Sequence, residues 1–362
     1  MATSEAIPLF NWLHVRRVAE RVPCAFCFFI GGRGTGKTYN DLLDHYNAFK
    51  DGTAGKLLYT RLSQKAIEIC ATDDDNPYGE INTNEHINVH FTKPNAKTDF
   101  YSIEDATNED EPITIGEARS LASFADLRGV NFSHITEWYF DEFIPTENVR
   151  RTPEIKKAGW LFAHAYETVN RNRELLGKPP VKVIFTANAF SLDSSILAYF
   201  GLIDVIQTMQ RKGQKRYTDR QASIYIELCD AADISEAKRS TVLYRALGHN
   251  QRFVDLSINN KFDDVALYAT KRDVRLIEYT PILNFNNDVT LYQHKSTGAW
   301  HFVKRGDENA ADKYPLDMRG RMLSKWGAHV RMAVAERRAT FDSADTYYLV
   351  ETIFDKSIKT LS

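Results

Sequence analysis

The chain has 362 residues, 43% of them apolar, with 46 basic and 48 acidic side chains and a formal net charge of −2. That length allows about two domains, and the balance excludes collagen-like, disordered and highly charged tail-like chains. No apolar run reaches the roughly 20 residues of a membrane helix, Met1 to Glu20 lacks the pattern of a secretion signal, and four cysteines fit a reducing compartment without a disulfide frame.

In chain order, Val15 to Val22 reads as a short amphipathic helix, and Cys24 to Ile30 as a buried strand. Cys24-x-x-Cys27 has the spacing of half a zinc site, but no second Cys/His pair accompanies it, so both thiols read as buried strand residues. Next comes Gly31-Gly32-Arg33-Gly34-Thr35-Gly36-Lys37-Thr38, a complete G-x-x-x-x-G-K-[ST] phosphate loop. A helix begins near Tyr39. Strand, loop and helix in that order let backbone N–H groups wrap an anion at a helix N-terminus. The glycines at 31, 32, 34 and 36 allow positive φ and close approach to phosphate. Lys37 is expected on the β/γ-phosphates and Thr38 on Mg²⁺. The chain is thus read as binding a nucleoside triphosphate, with Gly31 through Thr38 as nucleotide-binding residues.

Lys56 to Thr60 reads as a second buried strand ending at Arg61. Residues 71–117 are polar and turn-rich, with alternating pieces expected as small inserted hairpins rather than core strands. Ile135 to Asp141 is an apolar strand tipped by adjacent acids, Asp141 and Glu142. Beside a phosphate loop this is the Walker B pattern: Asp141 joins Thr38 at the metal, and Glu142 reaches the attacking water. A helix over Pro153 to Leu176 carries Arg171 and Arg173, either of which would stabilise transferring phosphate, more easily a neighbour's than its own. Val181 to Phe185 is another buried strand, ending at Thr186-Ala187-Asn188, where Asn188 and Thr186 can hold water or sense the γ-phosphate. Strands alternating with helices argue for an α/β fold with a mainly parallel sheet, whose ligands bind beyond the strands' carboxyl ends.

Residues 1–205 are acidic, whereas Arg211 onward is mildly basic. The stretch 206–247 reads as a linker or lid with a strand-like piece at Ala222–Leu228 and a helix-like one from Ser235 to Leu247. Beyond it, Arg252–Ile258, Val274–Tyr279, Val289–His294 and Ala299–Lys304 alternate like strands, with a hairpin at Ser296-Thr297-Gly298. Helices are expected over Met318–Ala339 and Tyr347–Lys356, completing a second α/β domain. Asp126-Leu127-Arg128-Gly129 and Asn260-Lys261-Phe262-Asp263 match short GTPase patterns, but the first follows no strand and the second lies far downstream, so guanine specificity is not expected.

With the phosphate loop, Phe140-Asp141-Glu142-Phe143-Ile144, Asn170-Arg171-Asn172-Arg173-Glu174, Asn188-Ala189 and Ser257-Ile258-Asn259-Asn260-Lys261-Phe262 in this order, the chain resembles a known family. It is similar to the DNA-packaging ATPases (encapsidation proteins) of small tailed bacteriophages with protein-primed genomes, compact relatives of terminase large subunits. The likeness covers most of the chain and is weakest at 71–117. It implies a P-loop ASCE-type ATPase domain at 1–205 and a smaller C-terminal RNase H-like α/β domain at 248–362, a vestigial nuclease. It also implies a homomeric ring, a pentamer, at the portal of an empty capsid, using ATP and Mg²⁺ to drive double-stranded DNA inward, with a structural packaging RNA in some members and no membrane partner. The protein would sit transiently on the capsid vertex and be absent from the mature virion. Arg171 is the implied trans-acting arginine, with Arg173 in reserve, and Arg61 matches a position near the nucleotide. Asp255, Asp263, Asp264, Asp273 and Glu278 are the acids a live nuclease would need, but they form no metal-binding pattern. The alternatives are a terminase large subunit with active nuclease, a nucleotide-gated capsid-binding scaffold, and a helicase.

Overall fold

The computed structural model describes residues 13–32, 34–108, 110–127, 130–145, 155, 157–188, 192, 194–229, 242–247, 270–271, 273–336 and 338–355. They form two compact units.

In the first unit, helix α1 (Val15–Arg21) leads into β1 (Phe26–Gly31), α2 (Lys37–Lys50) and β2 (Lys56–Arg61). Two short helices, α3 (Gln64–Cys70) and α4 (Gly79–Glu85), precede β3 (Val89–Thr92), β4 (Phe100–Asp105) and β5 (Ile113–Ser120). Then come β6 (Ile135–Asp141), α5 (Ala158–Asn170) and β7 (Lys182–Ala187). After α6 (Ser195–Phe200) and α7 (Ile203–Arg211), which belong to the second unit up to Thr208, β8 (Arg216–Asp219) and β9 (Ile224–Cys229) return to the sheet of the first, and α8 (Val242–Leu247) follows. Among the described residues the sheet order is β3-β4-β5-β2-β6-β7-β1-β9-β8. The six strands from β5 to β9 run parallel, and β3, β4 and β8 add antiparallel edges.

The central strands are apolar on both faces because helices cover both. Phe28, Trp138, Phe140 and Phe185 share one face with Phe162 of α5, and Phe28 stacks on Phe185 at 4.3 Å. Cys27, Phe29, Tyr59, Tyr139 and Ile184 lie on the other, in a cluster with Leu42 and Tyr46 of α2. Burying one such aromatic ring contributes about 2–3 kcal/mol. Helix α1 is tied down by charge: Arg16 Nε donates to Glu137 Oε2 at 2.8 Å, and Arg17 pairs with Asp44 at 2.6 Å. Beside them Asp41 is fully buried, and both its carboxylate oxygens lack a hydrogen-bond partner among the described residues.

Two expectations change here. The region 71–117 was read as small inserted hairpins, yet β5 pairs in parallel with β2 from Leu57↔Gly116 to Arg61↔Ser120 and belongs to the main sheet. Its half-alternating sequence conceals the pairing, because Gly116 lets the β2 backbone pass where a Cβ would lie 2.5 Å from the Leu57 carbonyl oxygen. The stretch 206–247, read as a linker or lid, contributes β8 and β9, and β9 is hydrogen-bonded along all of β1.

The second unit gathers described residues of Arg150–Gly159, Leu192–Thr208 and Asp263–Ser362. Its sheet, in the order β13-β10-β11-β12-β14, comprises β10 (Tyr279–Phe285), β11 (Val289–His294), β12 (Trp300–Val303), β13 (Asp312–Tyr314) and β14 (Ala339–Phe341). The three strands β10 to β12 form an antiparallel meander, flanked by β13 parallel to β10 and β14 parallel to β12. Helices α9 (Arg319–Ala335) and α10 (Ala344–Phe354) bury Met322, Val330, Val350 and Phe354 against Phe285, Leu291, Phe302 and Phe341. A smaller C-terminal α/β domain is thus present, as the sequence led us to expect. The hairpin at Ser296–Gly298 is present between β11 and β12. The strand expected at Val274–Tyr279 is instead a 3₁₀ turn over Leu276–Glu278, with the strand starting at Tyr279. Arg252–Ile258 lies outside the described residues.

Candidate nucleotide site

The site stands beyond the carboxyl ends of β1, β7 and β6. One strand, β7, separates the phosphate-loop strand β1 from the acid-bearing strand β6, the order that distinguishes ASCE ATPases. Gly34 and Gly36 take left-handed conformations, φ 76° and 74°, so the loop can turn into α2 without a Cβ penalty. Gly31 serves a different purpose from the one expected. It is the last residue of β1, and a Cβ there would meet the Cys229 carbonyl oxygen at 2.4 Å, so the need is close approach of β9. Arg33 lies outside the described residues.

Lys37 is 5% exposed. Its Nζ donates to the Gly32 carbonyl at 2.9 Å, to Thr35 Oγ1 at 3.0 Å and to Asn188 Oδ1 at 2.9 Å. Burial lowers its pKa, while Cys229, Glu142 and Asp141 act in the opposite sense. Asn188, two residues past Thr186, passes the contact on: its Nδ2 donates to Glu142 Oε1 at 2.5 Å and its backbone N–H to Oε2 at 3.3 Å. Glu142 is non-glycine at φ 51°, a left-handed turn costing about 1–2 kcal/mol. The Phe143 N–H, bonded to the Thr186 carbonyl at 3.2 Å, braces that turn. Burial raises the Glu142 pKa, Asp141 adds to the rise, and Arg61 and Asn188 oppose it.

Asp141 is 3% exposed and held through both oxygens. Oδ1 lies 3.4 Å from Thr38 Oγ1 and 3.0 Å from Thr186 Oγ1. Oδ2 accepts from Arg61 Nη2 at 2.6 Å and from the Tyr59 hydroxyl at 2.9 Å. The Tyr139 hydroxyl donates to Thr38 Oγ1 at 3.2 Å. The loop from Gly34 to Thr38, with Tyr39, Glu80, Asp141, Glu142, Ala187 and Asn188, lines one cavity. Sequence reasoning missed Tyr59, Tyr139 and Glu80. The two tyrosines carried a signal, since each lies two residues before a site residue on its strand, Arg61 or Asp141, and so shares its face.

Arg171 and Arg173 are not brought to this site within one chain. Arg171, exposed and at φ 45°, donates to the Val130 carbonyl, and Arg173 donates to the carbonyls of Pro179 at 2.9 Å and Ile135 at 3.2 Å. Ile135 begins β6 and Asp141 ends it, so the arginines sit at the opposite, amino-terminal end of the strands, about 20 Å away along β6. Of the nuclease candidates, Asp255, Asp263 and Asp264 lie outside the described residues, while Asp273 and Glu278 are exposed. Among the described residues no three His, Cys, Asp or Glu side chains cluster to hold a metal. Cys24 and Cys27 are buried and free, and burial pushes the Cys27 thiol up to about 12.

No protein-family model matches the sequence, and no curated protein matches it. Solved structures do. The gp11 DNA-packaging motor of phage Phi-28 superposes with a TM-score of 0.66 at 13% identity, over 97% of this chain and 99% of that one. The viral genome packaging motor assembly of bacteriophage Phi-29 gives 0.58 at 16% identity, over 95% and 99%. At such identities the likeness is one of fold, and the chain has the fold of these packaging motors along nearly its whole length.

Proposed function

We propose that this protein is an ATP-driven motor that moves double-stranded viral DNA into an empty capsid through its portal vertex. The observation that carries the reading is the unbroken contact from Lys37 through Asn188 to Glu142, with Thr38 against Asp141 beside it. A phosphate-gripping cation beyond β1 and a water-activating carboxylate beyond β6 are thereby joined through Asn188 at the end of the strand between them, in a fold shared with packaging motors.

The donor set fits Mg²⁺, which takes hard oxygens in near-octahedral geometry and keeps several waters. Thr38 would hold it directly. Asp141, with Oδ2 already engaged by Arg61 and Tyr59, would act through water. Bound there, Mg²⁺ neutralises charge on the β- and γ-phosphate oxygens. Backbone N–H groups of Gly34 to Thr38 cradle the phosphates, and Lys37 exchanges its Gly32 and Thr35 partners for the β/γ-oxygens. Glu142 takes a proton from the attacking water; a carboxylate with raised pKa is the stronger base. Asn188 holds that carboxylate in line through two hydrogen bonds.

Arg171 completes the site from a neighbour. Its place at the far end of the strands puts its own nucleotide out of reach, which supports a ring in which each subunit faces the next one's ATP; the ring is a pentamer in this reading. A trans-acting arginine is worth roughly 10³–10⁵ in rate. The ATPase domain extends through β9, which closes its sheet beside β1, and the C-terminal domain grips DNA or a packaging RNA rather than cutting. DNA contacts are mostly to phosphate, so affinity depends on salt and little on sequence.

The test is translocation. With ATP, the protein and empty capsids bearing their portal should render unit-length DNA resistant to nuclease, and a triplex-forming strand on linear duplex should be stripped during entry. ATP hydrolysis without either result would overturn the motor reading. Unwinding of forked duplexes would point to a helicase instead.

A further inference from the structure

One wall of the cavity takes no part in the mechanism above. Glu80, in the first turn of α4, lines the cavity next to Thr38 and Tyr39. The helix that carries it is anchored on α2: Asn84 Nδ2 donates to the Tyr39 hydroxyl at 3.2 Å, and Tyr78 and Ile81 are buried in one cluster with Leu42 and Tyr46. Glu80 itself is exposed at the cavity mouth and makes no hydrogen bond or ion pair with the described residues. A carboxylate carried there by an anchored helix is placed to meet a ligand in the cavity.

The order of groups along the loop says which part of the ligand. Lys37 serves the β/γ-phosphates and Thr38 the metal side of the β-phosphate, so the next residue, Tyr39, stands at the α-phosphate. Beyond the α-phosphate comes the ribose. A carboxylate turned to the α-phosphate would be repelled by it. Turned to the sugar, it is an acceptor-only group facing two hydroxyl donors, the pairing by which an acidic residue reads a ribose 2′-OH in dinucleotide sites.

We propose that Glu80 accepts hydrogen bonds from the ribose hydroxyls of the bound nucleotide and makes the enzyme select ATP over 2′-deoxyATP. The assignment rests on the cavity being the ATP site. The segment that resembles the packaging family least thereby supplies the nucleoside-reading wall.

The experiment compares kcat/KM for ATP and 2′-deoxyATP in the wild type, Glu80→Ala, Glu80→Gln and the control Glu85→Ala, at the exposed end of the same helix. The wild type should prefer ATP about tenfold, the worth of one hydrogen bond to a solvent-accessible charged acceptor. Glu80→Ala should bring the ratio near one, chiefly by raising KM for ATP. Glu80→Gln, which keeps the shape and one acceptor, should fall between, and Glu85→Ala should keep the wild-type ratio. Equal use of both nucleotides by the wild type would overturn the assignment and leave the ATPase reading standing. So would an equal loss on both in Glu80→Ala, because that places the carboxylate on the metal or phosphates common to the two. A wild type that turns over neither nucleotide would overturn the ATPase reading itself.

Discussion

Replacing Asn188 tests whether the bridge between Lys37 and Glu142 works as drawn. The Asn188 side chain makes two charge-assisted hydrogen bonds, one from Lys37 Nζ at 2.9 Å and one to Glu142 Oε1 at 2.5 Å. Each such bond is worth about 1.5–3 kcal/mol. Asn188 is half-buried, so water recovers part of that in Asn188→Ala. The remaining loss of aim at the water should cost roughly 2–3 kcal/mol in the transition state, a 30- to 150-fold fall in kcat. ATP affinity should change little, since the phosphates keep Lys37 and the loop. Asn188→Asp is the sharper variant. It keeps the shape, removes the Nδ2 donor and sets a second charge against Glu142, whose pKa burial and Asp141 already raise. A base must be ionised to act, so a further rise moves the rising limb of the pH–kcat profile to higher pH. The assay is steady-state phosphate release from pH 5.5 to 9, with ATP binding measured in parallel. A kcat within twofold of wild type in Asn188→Ala, with an unmoved limb in Asn188→Asp, would refute the reasoning.

Other consequences follow from the same contacts. Arg61→Ala leaves the buried Asp141 Oδ2 with Tyr59 alone; because Arg61 is 27% exposed in its side chain and water can enter, about 1–3 kcal/mol of stability should be lost in urea unfolding. Arg61→Lys should not recover it, since one ammonium cannot match the fork spanning Tyr59 and Asp141. Asp41 is buried with no hydrogen-bond partner among the described residues, and burial, then Glu137, hold its folded pKa well above the ordinary 3.8. The folded state therefore keeps a proton that the unfolded chain releases, so this contribution is fully present below about pH 4 and is lost as pH rises through the folded pKa. Asp41→Asn, which cannot titrate, should gain on the wild type as pH rises from 4 to 8. Parallel stability curves would contradict this. Rings mixed from wild-type and Arg171→Ala subunits should lose ATP turnover faster than in proportion to the mutant fraction; strict proportionality would argue against action in trans.

What the sequence disclosed was whatever chemistry is local. The phosphate loop, the Asp141–Glu142 tip and the Thr186–Asn188 strand end are each written in under ten consecutive residues, and the parallel sheet brings them together because all three end strands pointing the same way. What stayed hidden depends on pairing across distance. Arg61 reaches Asp141 only because β2 lies beside β6, and nothing in Lys56–Arg61 announces that neighbour. Parallel pairing of β5 with β2 needs a crossover through α3, α4 and two antiparallel strands, so 113–120 looked like another hairpin arm. Glu80 gave no signal of its own, being one acid among many in a polar insert. Its place came from Tyr78 and Ile81, whose burial sets the face of α4.

The most direct test of the central claim is steady-state ATP turnover by the wild type and by Glu142→Gln, with and without linear double-stranded DNA. The account predicts wild-type turnover that rises several-fold with duplex DNA, while Glu142→Gln binds ATP as tightly and turns over roughly 10²–10⁴ times more slowly whether or not DNA is present. Near-normal turnover in Glu142→Gln, or a wild-type rate indifferent to DNA, would contradict it.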